Sequence, residues 1–173
     1  SFSIRGGTST NNDAILPETF LRAEAILRSP PADGWVLTPS VTYREYRNTA
    51  EEVALEGQVA KYVPYGDGSI ILQGMARVTF IEPGDFTAAS FGGGIFYYVP
   101  KQYQIGIFIE GGEASYEAAL GGIGFIDEDY ISIRPTISKF VGERVELILR
   151  GEYTERDSFT VLGGYGGVKL YFD

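Results

Sequence analysis

The sequence predicts an all-β chain, folded as an antiparallel up-and-down β-barrel of about ten strands in a single domain spanning residues 1–173. Three observations predict it. Apolar and polar residues alternate with a period of two, the signature of a strand with two different faces. Turn residues interrupt the alternation at regular intervals. The connections fall into two alternating kinds, one tight and one longer and acidic, as two rims of an up-and-down barrel require.

Taken in order, the strands are expected at Ser1–Thr8, Thr19–Arg28, Trp35–Tyr46, Glu52–Val63 and Ser69–Phe80. Five more follow at Thr87–Val99, Tyr103–Glu113, Tyr130–Val141, Arg144–Thr154 and Ser158–Phe172. Tight connections include Pro64-Tyr65-Gly66-Asp67-Gly68, Pro100-Lys101-Gln102 and Gly142-Glu143. Two segments also fit a helix. Pro17–Arg28 has Pro near its start, and Thr49-Ala50-Glu51-Glu52 resembles a capping box before Val53–Tyr62. Both alternate cleanly and fill hairpin slots, so strand is the expectation. Ala118–Ile126 reads either as a loop or as extensions of the flanking strands.

Composition bounds the chemistry. The chain has 23 Gly, 12 Tyr, 11 Phe and one Trp, with no Cys and no His. Thiol catalysis, disulfides, imidazole general-base chemistry and the common zinc sites are therefore excluded. A net charge of −9 argues against a nucleic-acid partner. No apolar run is long enough for a transmembrane helix. No signal peptide is visible, and Ser1 reads as a processed or trimmed start.

Splitting each strand by parity decides the environment. One face carries Leu37, Val41, Leu72, Val78, Ile105, Ile107, Ile109, Ile131, Ile133, Ile137, Leu147, Leu149, Leu162 and Val168. The other carries Arg22, Glu24, Arg44, Glu56, Arg77, Glu110, Arg134, Glu146, Arg150 and Glu152, five of each sign. A soluble barrel binding an apolar ligand would turn the first face inward. A transmembrane barrel turns it outward. Balanced Arg and Glu near strand centres suit a closed, salt-bridged lumen, and all four lysines (Lys61, Lys101, Lys139, Lys169) fall at the tight-turn end. Aromatics collect near strand ends as interfacial girdles: Trp35, Tyr97, Tyr98, Tyr103 and Phe172 at one rim, Tyr43, Phe80, Tyr153 and Phe159 at the other. Strands of ten to twelve residues match a tilted span.

The C-terminal third, Ser138-Lys139-Phe140-Val141-Gly142-Glu143-Arg144-Val145-Glu146-Leu147 followed by Gly163-Gly164-Tyr165-Gly166-Gly167-Val168-Lys169-Leu170-Tyr171-Phe172, resembles the strand-turn-strand and terminal strand of bacterial outer-membrane proteins. A terminal strand alternating to a final aromatic is similar to the signal read by the barrel-assembly machinery, with Asp173 as a departure. Among small barrels the arrangement resembles the YaiO-type family over Trp35–Phe172. The resemblance implies a bacterial outer-membrane location and brings no catalytic residues.

The ten lumen charges are expected to pair and nearly fill a narrow barrel, because unpaired buried charges cost several kcal/mol each. The outer loops gather Asp13, Glu18, Glu51, Glu52, Glu82, Asp85, Glu113, Glu117, Asp127, Glu128, Asp129, Glu155 and Asp157, opposed by Arg47 and Arg156. Asp127, Glu128 and Asp129 are the densest group and could hold calcium or magnesium through oxygen ligands. The runs Gly92-Gly93-Gly94 and Gly163-Gly164 with Gly166-Gly167 lack the Lys-Ser/Thr of a phosphate loop and read as places for curvature or a large neighbour. The expectation is a non-enzymatic protein without cofactor, in a structural or surface-interaction role or as a subunit of an envelope assembly. A small channel or saccharide exporter is the alternative. Expected partners are membrane lipid, lipopolysaccharide and other envelope proteins.

Overall fold

A computed structural model of the chain describes residues 1–8, 19–30, 33–46, 51–82, 86–117, 125–142 and 144–170. Phe172, Asp13, Glu18, Asp85 and Arg47, named above, lie outside these residues. Among the described residues, eleven strands form one antiparallel sheet: β1 (Phe2–Thr8), β2 (Thr19–Ala25), β3 (Leu27–Arg28), β4 (Trp35–Glu45), β5 (Glu51–Tyr65), β6 (Gly68–Glu82), β7 (Phe86–Val99), β8 (Tyr103–Glu117), β9 (Phe125–Val141), β10 (Val145–Arg156) and β11 (Thr160–Leu170). Each strand pairs with its sequence neighbour. β3 continues β2 past Ile26 along the same partner, β4, so the path across the sheet has ten members. The two segments that also fit a helix are strands where described, apart from Ile26 between β2 and β3, because each pairs through its backbone with a strand on either side.

The turns at one end are short. β5 and β6 are joined by Gly66-Asp67, with Gly66 at φ 57°, a conformation that suits a residue without Cβ. At the other end β8 and β9 run on as a pair to Glu117 and Phe125, so β8 reaches the edge of the ambiguous stretch and β9 begins inside it. β8 leaves β7 at Gly112.

The sheet stops short of the closed barrel. β1 and β11 are its two free edges among the described residues, and β1 offers seven residues to the eleven of β11. The sheet nevertheless curls strongly. Arg22 of β2 and Arg150 of β10, each one strand in from an edge, line the same cavity.

Its burial is inverted relative to a water-soluble protein. The outward positions are apolar and exposed: Leu55 is 50% exposed, Leu72 49%, Ile95 51%, Ile105 50% and Leu149 61%. The buried positions lie inward and are mixed: Glu110 at 3%, Ser132 at 3% and Thr154 at 6% share the interior with Ile71, Met75, Ile81 and Phe96. None of the large side chains among the described residues is fully buried. The face expected to be apolar and the face expected to be polar are those seen, and it is the polar one that lies inside.

Candidate functional site

Alternation aims Arg22 and Glu24 of β2, Glu56 of β5, Arg77 of β6, Glu110 of β8 and Arg134 of β9 toward the concave side. Register then decides who meets whom. Arg22 Nε lies 3.3 Å from Glu24 Oε2 and its Nη2 3.0 Å from Glu56 Oε1. Glu56 reaches Arg77 at 3.8 Å. Arg77 and Arg134 both donate to Glu110, which also accepts from the Tyr130 hydroxyl. The result is one chain, Glu24–Arg22–Glu56–Arg77–Glu110–Arg134, with three charges of each sign. Glu110 is the most buried of the six and accepts from three donors, Arg77, Arg134 and Tyr130.

Four of the ten expected lumen charges stand apart from this chain. Arg44 pairs with Glu52, which sits directly opposite it on β5. The sequence reading counts Glu52 among the outer-loop carboxylates; it lies within β5 on the parity of Glu56, which turns it inward. Burial and the neighbouring Glu52 carboxylate push the Tyr46 phenol well above its ordinary range, so it stays a donor to Glu52 at 2.9 Å. Glu146 accepts from the Ser138 hydroxyl at 2.6 Å. Glu152 lies 3.4 Å from the Thr154 hydroxyl. Arg150 has no ion-pair partner among the described residues.

The charges do not fill the interior. A cavity of about 460 Å³ lies toward the tight turns, lined among others by Gln58, Gln73, Gln104, Phe96, Phe108 and Arg150. A second, of about 290 Å³, lies toward the longer loops, lined among others by Arg44, Glu52, Ser90, Tyr130 and Glu152. Arg77, Glu110 and Arg134 border both, so this trio is the partition between them.

Glycine shapes the wall. Gly92 and Gly94 of β7 lie under the Phe108 ring, and Gly106 of β8 lies under the Phe96 ring. A methyl group added at Gly94 would stand 2.7 Å from a Phe108 ring carbon, so the ring can lie flat only against glycine. The same arrangement puts Phe20 on Gly7 and Tyr165 on Gly167. The expected pairing of Gly164 and Gly166 with aromatics is not made: both are outward, opposite Gly151 and Leu149, with nothing within 4 Å of an added Cβ. The large neighbour expected at Gly92-Gly93-Gly94 is the Phe108 ring, over Gly92 and Gly94; the rings on Gly7 and Gly106, with Tyr130, Tyr46 and Ser90, were missed by the sequence reading. Glycines two apart in a strand, facing a Phe in the next, are the signal that marks such a contact.

Outside, aromatics stand at both ends of the apolar band. Tyr97 packs edge-on against Tyr65 (6.2 Å) and Tyr103 (6.0 Å), and the Lys61 ammonium lies 4.8 Å from the Trp35 ring. At the opposite end Phe80, Tyr153 and Phe159 are exposed and Tyr43 is half-buried. Tyr98 is displaced from the girdle, since alternation with Tyr97 turns it inward. Of the acidic trio, Glu128 is buried on the inner face with one carboxylate oxygen unpartnered among the described residues. Asp129 is exposed on the outer face, and the Asp127 side chain lies outside the described residues. Adjacent strand positions point oppositely, so Glu128 and Asp129 do not converge; among the described residues no three carboxylates gather to hold a metal.

No protein-family model, curated protein or solved structure matches the chain.

Proposed function

We propose that this chain is a small bacterial outer-membrane β-barrel whose lumen is closed by its own ion pairs, serving in a structural or surface-interaction role or as a subunit of an envelope assembly. The observation that carries the reading is the inverted burial: aliphatic side chains outside, an ion-pair chain inside. A sheet in water would expose the second and bury the first. Dimensions agree. Trp35 and Tyr43 stand eight residues apart on β4, about 27 Å along a strand and about 20 Å across a membrane at a tilt of about 40°. That is close to the apolar band of about 25 Å in outer-membrane barrels. The resemblance to YaiO-type barrels points the same way. In this reading β1 and β11 pair to close the seam, since exposed edges are a standing hazard and their neighbours already line a common cavity.

The test is refolding into detergent. The protein should require detergent, and unheated samples should migrate faster on a gel than boiled ones. The chain contains no cysteine, so Ile4→Cys combined in turn with Leu162→Cys, Gly164→Cys, Gly166→Cys or Val168→Cys reports the seam directly. One pair should cross-link under oxidation. A monomer stable in plain buffer, with no cross-link from any pair, overturns the reading. The channel alternative draws on the two cavities. Steady, large conductance of the unaltered protein in planar bilayers would favour it; weak conductance is the expectation, because Arg77, Glu110 and Arg134 stand between the cavities.

A further inference from the structure

Within the cavity nearer the tight turns, the ion-pair chain satisfies itself and Arg150 is the remaining charged side chain on the wall. Arg150 does not stand alone. Register places Thr136 directly opposite it on β9 and Tyr165 directly opposite on β11. Gln104 of β8 is opposite Ser138, one inward position along β9 from Thr136. Arg150, Thr136 and Gln104 all line the cavity. None of these four side chains has a hydrogen-bond or ion-pair partner among the described residues. Four hydrogen-bond donors therefore sit on adjacent inward positions of four consecutive strands.

Beside this cavity, Pro135 on the outward face lies against Gly151 and supplies no ladder donor, and the β9–β10 ladder is interrupted between Thr136↔Arg150 and Ile133↔Tyr153. A structural plug would use this space for another ion pair, as it does a few residues away. Here the cation is left with a cavity of about 460 Å³ in front of it. The nearest inward carboxylate on the same strand, Glu152, belongs to the other cavity.

We propose that the turn-end cavity binds the carboxylate of a small organic acid, of about monosaccharide size, with Arg150 as the charged donor and Thr136 and Gln104 as neutral donors around it. Guanidinium and carboxylate match as a two-pronged pair, which neither a neutral sugar nor a cation reproduces. Gln58 and Gln73 on the opposite wall, hydrogen-bonded to each other at 3.0 Å, offer further amide contacts to hydroxyl groups of the same solute. This rests on the inward-facing lumen proposed above.

The test uses full-length protein refolded in detergent that has first shown heat-modifiable migration, so that a failure here counts against the site and not against the barrel. Galacturonate is titrated at fixed ionic strength, followed by calorimetry and by the side-chain Nε–H resonances of arginine, with galactose and inorganic phosphate as parallel titrants. Galacturonate should bind saturably in the millimolar range and shift the resonance that disappears in Arg150→Gln. Affinity should fall at least fivefold in Arg150→Gln and be only partly restored in Arg150→Lys, which keeps the charge without the two-pronged fork. Lys139→Gln, an equal charge change on the outer face, should bind as the unaltered protein does. No saturable binding, equal binding of galactose, or equal weakening by Arg150→Gln and Lys139→Gln overturns the proposal. Tighter binding of phosphate than of galacturonate overturns the carboxylate assignment.

Discussion

The inner and outer faces of the sheet share every backbone atom and differ in everything else. Ile107 and Phe108 are adjacent on β8; the first is an exposed aliphatic, the second lies against glycine on the cavity wall. Ile109 and Glu110 repeat the contrast one step on, with 45% exposure against 3%. The lesson is that the period of two specifies only that two faces differ. What each face touches decides which residues it holds. Outside, each position needs an apolar side chain and little else. Inside, each long charged group needs a particular partner at a particular register, and each flat ring needs a particular glycine.

The contrast is sharpest at Glu110. Glu110→Leu removes the acceptor shared by Arg77, Arg134 and Tyr130 and leaves two guanidinium groups facing each other. Breaking a buried pair costs about 3–5 kcal/mol; the arginines are about one-quarter exposed, so the lower end is expected. Denaturant unfolding in vesicles measures it. The same substitution should also join the two cavities and raise conductance in planar bilayers. Unchanged stability would mean that the inner face is hydrated like an ordinary surface.

Ile107→Arg tests the other face at the same height. A cation facing hydrocarbon near mid-strand should cost about 2–4 kcal/mol. In water the same change would be near neutral, so folding into lipid vesicles that is indifferent to it would break the comparison from the outer side.

How far this was legible in the sequence follows from the same asymmetry. Alternation suffices to assign Leu72 and Arg77 to opposite faces, and hairpin rhythm suffices to place ten rungs. Pairing is another matter. Arg77 meets Glu110 across an intervening strand, β7, whose contribution there is Ser90 opposite Arg77 and Gly92 opposite Glu110. Skipped-strand contacts depend on curvature, which no local pattern encodes. Glu52 shows the smaller failure. Its place at a strand end among acidic residues reads as a solvated rim, whereas the parity it shares with Glu56 turns it inward to the ion pair with Arg44. Seam closure is what the barrel pattern predicts, whereas the described sheet leaves β1 and β11 unpaired. The free edges are the least constrained strands, β1 being short and β11 exposed along nearly all its length.

A third substitution probes the wall itself. Gly94→Val adds bulk under the Phe108 ring, where there is no room for a Cβ. Overpacking typically costs about 1–3 kcal/mol. Gly164→Val, outward with nothing within 4 Å of its Cβ, should be neutral in vesicles. Equal effects at the two glycines would show that close packing does not distinguish the faces.

The smallest effect expected is a gain. Glu45, Glu51 and Glu82 occupy directly opposed positions on β4, β5 and β6, so three outward carboxylates stand in a row just beyond Tyr43 and Phe80. Like charges directly opposite in a sheet destabilise it by a few tenths of a kcal/mol to about 1 kcal/mol. They are exposed, and salt screens them over about 8 Å at physiological ionic strength. Glu51→Gln relieves both neighbours at once and should raise stability by about 0.5 kcal/mol at low salt, with the gain shrinking as sodium chloride is added. Magnesium should shrink it further at matched ionic strength, because a divalent cation neutralises the unaltered row more effectively. A gain independent of salt would point to packing by the new amide rather than to relief of repulsion, and no gain would show that the three side chains splay apart into water. Either result bears on the rim alone, since Arg44 and Glu52, one residue inward on the same strands, pair on the opposite face.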